Sequence, residues 1–134
     1  MIPGVLALLS ANATVQTLVG ASAKGGGYKI YPVVAEQDEQ RPYVTIRRTS
    51  EFGTITKNEV SDKDQVRFNV VAYADEYKKC YDILAACRTV LENYTGTSAS
   101  IEFKKIWYVG SEDLFDKEDR TYVIADTYDA RVKR

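Results

Sequence analysis

The chain has 134 residues, with 18 Lys and Arg against 19 Asp and Glu, two Cys and no His. Without imidazole there is no Ser-His-Asp triad, no Cys-His pair and no His-ligated metal, and a net charge of −1 lacks the cationic excess that drives general polyanion binding. At 45% hydrophobic and 28% charged the composition is that of an ordinary soluble globular protein; a single domain is predicted over 1–134, with N-terminal helices over 1–20 and a sheet with one long helix over 28–134.

No charge precedes Lys24. The apolar run Val5-Leu6-Ala7-Leu8-Leu9 invites comparison with an export signal, but no basic segment leads it and it stops at Ser10-Ala11-Asn12-Ala13-Thr14. Pro3 suits a first helical turn, and Val5, Leu6 and Leu9, then Val15, Leu18 and Val19, recur at helical intervals. Two short helices are predicted, the second capped by Asn12 and ended by Gly20. Lys24-Gly25-Gly26-Gly27 is a connection and not a phosphate loop, because Gly26 and Gly27 stand where Lys and Ser or Thr would hold phosphate and Mg²⁺.

A short extended segment, Tyr28 to Val34, leads through the polar stretch Glu36 to Arg41 and Pro42 into a strand from Tyr43 to Ser50, with Val44 and Ile46 on one face and Thr45, Arg47 and Thr49 on the other. A stronger alternation places Val66, Phe68, Val70 and Ala72 against Arg67, Asn69 and Tyr73. Between them, Glu51 to Asp64 is too charged for core yet carries Phe52, Ile55 and Val60. Asp75 is the expected cap of a helix through Tyr94, closed by Gly96, whose apolar stripe is Tyr77, Cys80, Tyr81, Leu84, Cys87, Leu91 and Tyr94. The turn Thr95 to Ser98 precedes a strand marked by Ile101, Phe103, Trp107 and Val109. The acidic loop Glu112 to Arg120 then enters a last strand, Thr121 to Val132. The order predicts an α+β fold: a mainly antiparallel sheet of four or five strands with helices packed on one face.

Few residues offer chemistry. Glu112, Asp113, Asp116, Glu118 and Asp119 are the one candidate cluster for a divalent metal or acid–base work, but they lack calcium-loop spacing and are interrupted by Lys117. Cys80 and Cys87 lie seven residues apart on one helix, about 10 Å along its axis, too far to pair; on the apolar stripe they read as buried free thiols, suited to a reducing cytosol. No catalytic residue, cofactor or metal is assigned. The isolated apolar residues of the arm, Phe52, Ile55 and Val60, either pack the hairpin on its own domain or dock on a neighbouring copy, and they are the candidate subunit interface.

The motifs Leu8-Leu9-Ser10-Ala11-Asn12-Ala13 before Leu18-Val19-Gly20, then Ile30-Tyr31-Pro32, Arg41-Pro42-Tyr43-Val44, the strand Gln65 to Ala74 running straight into a helix, and Glu112 to Asp119 before the final strand, taken in that order, resemble the tail completion or tail terminator proteins of long-tailed bacteriophages and prophages. The resemblance spans nearly the whole chain; Lys24-Gly25-Gly26-Gly27 and the long, charged Glu51 to Asp64 arm depart from the family pattern. It implies a structural subunit, not an enzyme, forming a ring, commonly a hexamer, on the end of the tail tube. Its implied partners are other copies of itself, the major tail-tube protein and the head–tail connector, with DNA passing through unread and no membrane involved. The implied location is the virion tail or neck, assembled in the host cytoplasm. Three alternatives stand beside it: another neck protein such as a head completion or connector subunit, a metal-dependent enzyme using the acidic residues 112–119, and a small ligand-binding module.

Overall fold

The computed structural model describes residues 2–20, 27–33, 41–55, 60–118 and 120–133, with side chains for all of these except 50–55 and 60–64. Helices α1 (Ile2–Ser10) and α2 (Ala13–Val19) come first, then β1 (Ile30–Pro32), β2 (Tyr43–Ile55), β3 (Val60–Ala74), α3 (Tyr77–Leu91), β4 (Gly96–Ser98), β5 (Ile101–Asp116) and β6 (Thr121–Lys133). The strands form one six-stranded sheet in the order β1-β2-β3-β6-β5-β4. This corrects the expected strand number. Every pair is antiparallel except β1 with β2, which is parallel. The added strand is β4, in residues expected to be a turn; its three residues pair with Ile101 to Phe103.

The N-terminal segment folds as its spacing dictates. Asn12 accepts a hydrogen bond from the Val15 N–H at 3.1 Å, and Gly20, at φ 77°, ends α2. Val5, Leu9, Val15 and Val19 are buried, so both helices pack into the core. No single helix among the described residues is long and apolar enough to cross a membrane.

Helix α3 differs from expectation at both ends. Its N-cap is Glu76, without a side-chain capping bond. Asp75 instead accepts a 2.6 Å hydrogen bond from Arg41 Nε, while Arg41 Nη1 donates to Thr121 at 2.8 Å. One guanidinium thus ties the entry of β2 to the start of α3 and the start of β6. At the other end the helix stops at Leu91, and Asn93 and Tyr94 turn outward to exchange backbone hydrogen bonds with Ile106 of β5. The buried stripe is Cys80, Ile83, Leu84, Cys87 and Leu91. Tyr77 and Tyr81, expected in it, are 47% and 61% exposed.

The core lies between the helices and one sheet face. Phe68 and Tyr128 stack at 5.5 Å between ring centroids, and Val66, Val70, Ile106 and Ala130 are buried around them. Residues on alternate positions of the same strands, among them Tyr73, Arg67, Trp107, Asp129 and Arg131, point to the helix-free face.

Candidate assembly surfaces

Helix α3 covers β3 and β6 but leaves the far part of β5 open, and a groove of about 510 Å³ runs between α3 and that strand. Its walls carry Tyr77, Tyr81, Arg88, Tyr108, Asp113 and Asp126. The Tyr77 hydroxyl donates to Asp113 at 3.1 Å, an interaction that raises the tyrosine pKa. Arg88 stands over the Tyr108 ring, 3.8 Å from its centroid, and donates to Glu92 at 3.1 Å. Asp126 is only 5% exposed at the bottom of the groove. Burial raises its pKa, while a hydrogen bond from Ser111 and the charge of Arg88 oppose the rise. Behind it, the Tyr128 hydroxyl is buried with no hydrogen-bond partner among the described residues, and burial raises its pKa.

The acidic run does not form the expected loop. Strand β5 continues through Asp116, so Glu112 and Leu114 face the helix-free side while Asp113 faces α3. Pleating separates these carboxylates, and no group of three potential ligands able to hold a metal ion occurs among the described residues; Asp119 lies outside them. The buried thiols are equally unsuited to chemistry. Cys80 donates to the Tyr122 carbonyl at 3.1 Å, and desolvation pushes its pKa up to about 11 and that of Cys87 up to about 12.

The helix-free face has a different character. Arg67 forms a bidentate pair with Asp129, and Thr127 donates to Asn69 at 2.9 Å. Next to this pair, a recess of about 550 Å³ is lined by Lys104, Lys105, Trp107 and Arg131. Lys104 pairs with Glu102 at 2.6 Å, whereas neither Lys105 nor Arg131 has an ion-pair partner among the described residues. The arm extends from this same end of the sheet. Phe52 is opposite Gln65, which is opposite Arg131, which is opposite Lys105; Ile55 is opposite Val60 at the arm's far end. The side chains of Phe52, Ile55 and Val60 lie outside the described residues.

The described surface thus carries a groove, a charged corner and the long β2–β3 ladder. The family model described as tail completion protein gp17 matches residues 3–133. The chain belongs to that family. No curated protein matches it in sequence. In structure it is similar to a chain of a solved particle titled "Virion of native gene transfer agent (GTA) particle", with a TM-score of 0.79, 16% identity, and coverage of 98% of this chain and 92% of the other. At that identity the likeness establishes the fold, while the family match establishes a tail completion protein, a structural component of a phage-type virion.

Within this family member, the groove is the feature that reading the sequence missed. One signal for it was present. On the core-facing positions Ile124, Asp126, Tyr128 and Ala130 of β6, a single carboxylate interrupts an otherwise apolar or aromatic row. A charge at such a position needs a polar environment, which the open side of α3 supplies.

Proposed function

We propose that the protein is the tail terminator subunit: copies of it form a ring, a hexamer on the tail, that ends the growing tail tube and joins it to the head connector. The observation that carries this reading is the family match over residues 3–133. The reading needs no catalysis, and the divergent carboxylates and buried thiols fit that role. Its partners are further copies of the same chain, the major tail-tube protein and the head–tail connector. DNA crosses the ring without being read. Assembly takes place in the host cytoplasm, and the finished protein resides at the virion neck.

A closed ring is made by heterologous contacts, in which one surface of the subunit meets a different surface of the next. The β2–β3 arm, with Phe52, Ile55 and Val60, supplies one such surface. Its long antiparallel ladder carries these residues away from the core, and apolar residues on an extended hairpin are placed to dock on a neighbour.

Cryo-electron microscopy of the particle tests the assignment. Density fitting this fold in a ring between tube and head connector is the expected result. Density fitting it within the head, along the tube or at the distal tip would overturn the assignment.

A further inference from the structure

The groove beside α3 holds more acid than base. Asp113 and Asp126 line it close enough for the charge of Asp113 to act on Asp126, while the lining cation, Arg88, is taken up by Glu92 and the Tyr108 ring. The remaining walls include Tyr77 and Tyr81, and tyrosine faces attract cations. The groove therefore has the chemistry of a receptor for Lys or Arg side chains.

The same chain carries a matching cationic surface that it cannot itself insert. Lys105 and Arg131 are directly opposite one another on β5 and β6, on the helix-free face, with Trp107 beside them. Asp113 lies eight residues further along β5 and on the other face. At about 3.3 Å per residue the two sites are roughly 25 Å apart along the strand, with the sheet itself between them. Acid and base can meet only between copies.

We propose that the Lys105–Arg131 corner of one copy docks into the Asp113–Asp126 groove of a second copy. This rests on the reading of the chain as an assembling subunit and names the contact through which it assembles. The two surfaces differ, so the contact is heterologous and repeats from copy to copy around a ring. Phe52 shares the cross-sheet row of Arg131 and Lys105, so the arm approaches the neighbour from the same end as the basic corner. Trp107 supplies the aromatic anchor that interfaces favour beside charged pairs.

Sedimentation and native mass spectrometry over a concentration series test this with the full chain and two variants, Lys105→Glu/Arg131→Glu and Asp113→Lys, each checked for unchanged circular dichroism. All three side chains are exposed. The wild type is expected to associate. Each variant alone should need about tenfold more protein or more to do so, and a 1:1 mixture of the two should recover association, because reversed corner meets reversed groove. If the wild type associates and the variants match it, or if both are weakened and the mixture does not recover, this contact is wrong while the ring reading stands. A wild type that stays monomeric to about 1 mM overturns this contact, whereas the ring reading, in which copies assemble on the tail itself, is overturned only by where the fold lies in the particle.

Discussion

Arg67 and Asp129 pair across β3 and β6 with guanidinium Nε and Nη2 at 2.8 and 3.0 Å from the two carboxylate oxygens. The carboxylate is 7% exposed and the arginine side chain 48%. Planar bidentate geometry is what Arg offers and Lys does not. The pair sits on the helix-free face and bridges the two central strands, β3 and β6.

Removing the arginine leaves a buried carboxylate without its cation, which is costlier than losing an exposed charge. Arg67→Met is expected to lower the melting temperature, and Arg131→Met, the same chemical change at a position without an ion-pair partner among the described residues, to leave it nearly unchanged. Differential scanning calorimetry of the two variants checks the order.

Gly4 marks where α1 crosses the end of β5. A Cβ there would lie 2.6 Å from Cε2 and 2.8 Å from Cζ of Phe103, and the Gly4 carbonyl accepts a 2.8 Å hydrogen bond from Ser98. Alanine in a helix gains up to about 1 kcal/mol over glycine, but crowding a fully buried ring costs about 1–3 kcal/mol. Crowding wins. Gly4→Ala should destabilise the chain by about 1 kcal/mol, read as a lower midpoint in urea with an unchanged m-value.

Asp126 makes stability depend on pH. Burial raises its folded pKa above the ordinary value of 3.8, so the folded state holds the proton more tightly than the unfolded chain. The stability this group contributes is full below about pH 4 and is lost as pH rises through the higher folded value. Asp126→Asn keeps an acceptor for Ser111 without the charge. It should raise the melting temperature at pH 7, with the gain shrinking as pH falls and vanishing below about pH 3, where the carboxyl is protonated in both states. If the groove receives cations, the same variant should also associate less well.

The two thiols test the core. Thiolates, not thiols, react with alkylating reagents, and burial holds Cys80 near a pKa of about 11 and Cys87 near about 12. At pH 8 iodoacetamide should label neither in the folded protein. Both should be labelled after denaturation, counted by intact mass.

Local chemistry wrote most of the fold into the sequence. The Asn12 cap, the strict alternation of Val66, Phe68, Val70 and Ala72, and the break at Pro42 each act within a few residues, so each can be read without tertiary information. What escaped were features decided at a distance. Asp75 has the composition of a cap, but Arg41, 34 residues earlier, takes its carboxylate. Gly96 has the composition of a helix stop, but Ile106 draws Asn93 and Tyr94 into the sheet sooner. Tyr77 and Tyr81 follow the helical period of the core stripe and yet stand in the groove, because the helix crosses only part of the sheet. The acidic stretch reads as a loop by charge alone, whereas pairing with Thr121 to Thr127 holds it as strand to Asp116. The groove was hidden for the same reason: its acids come from β5 and β6 and its cation from α3.

If this chain ends tail growth and joins tail to head, its loss changes tail length. Particles produced with the gene deleted should, in negative-stain micrographs, show tubes extended past the normal length and not joined to heads, with both defects repaired when the chain is supplied in trans. Tails of normal length attached to heads in its absence would exclude that role.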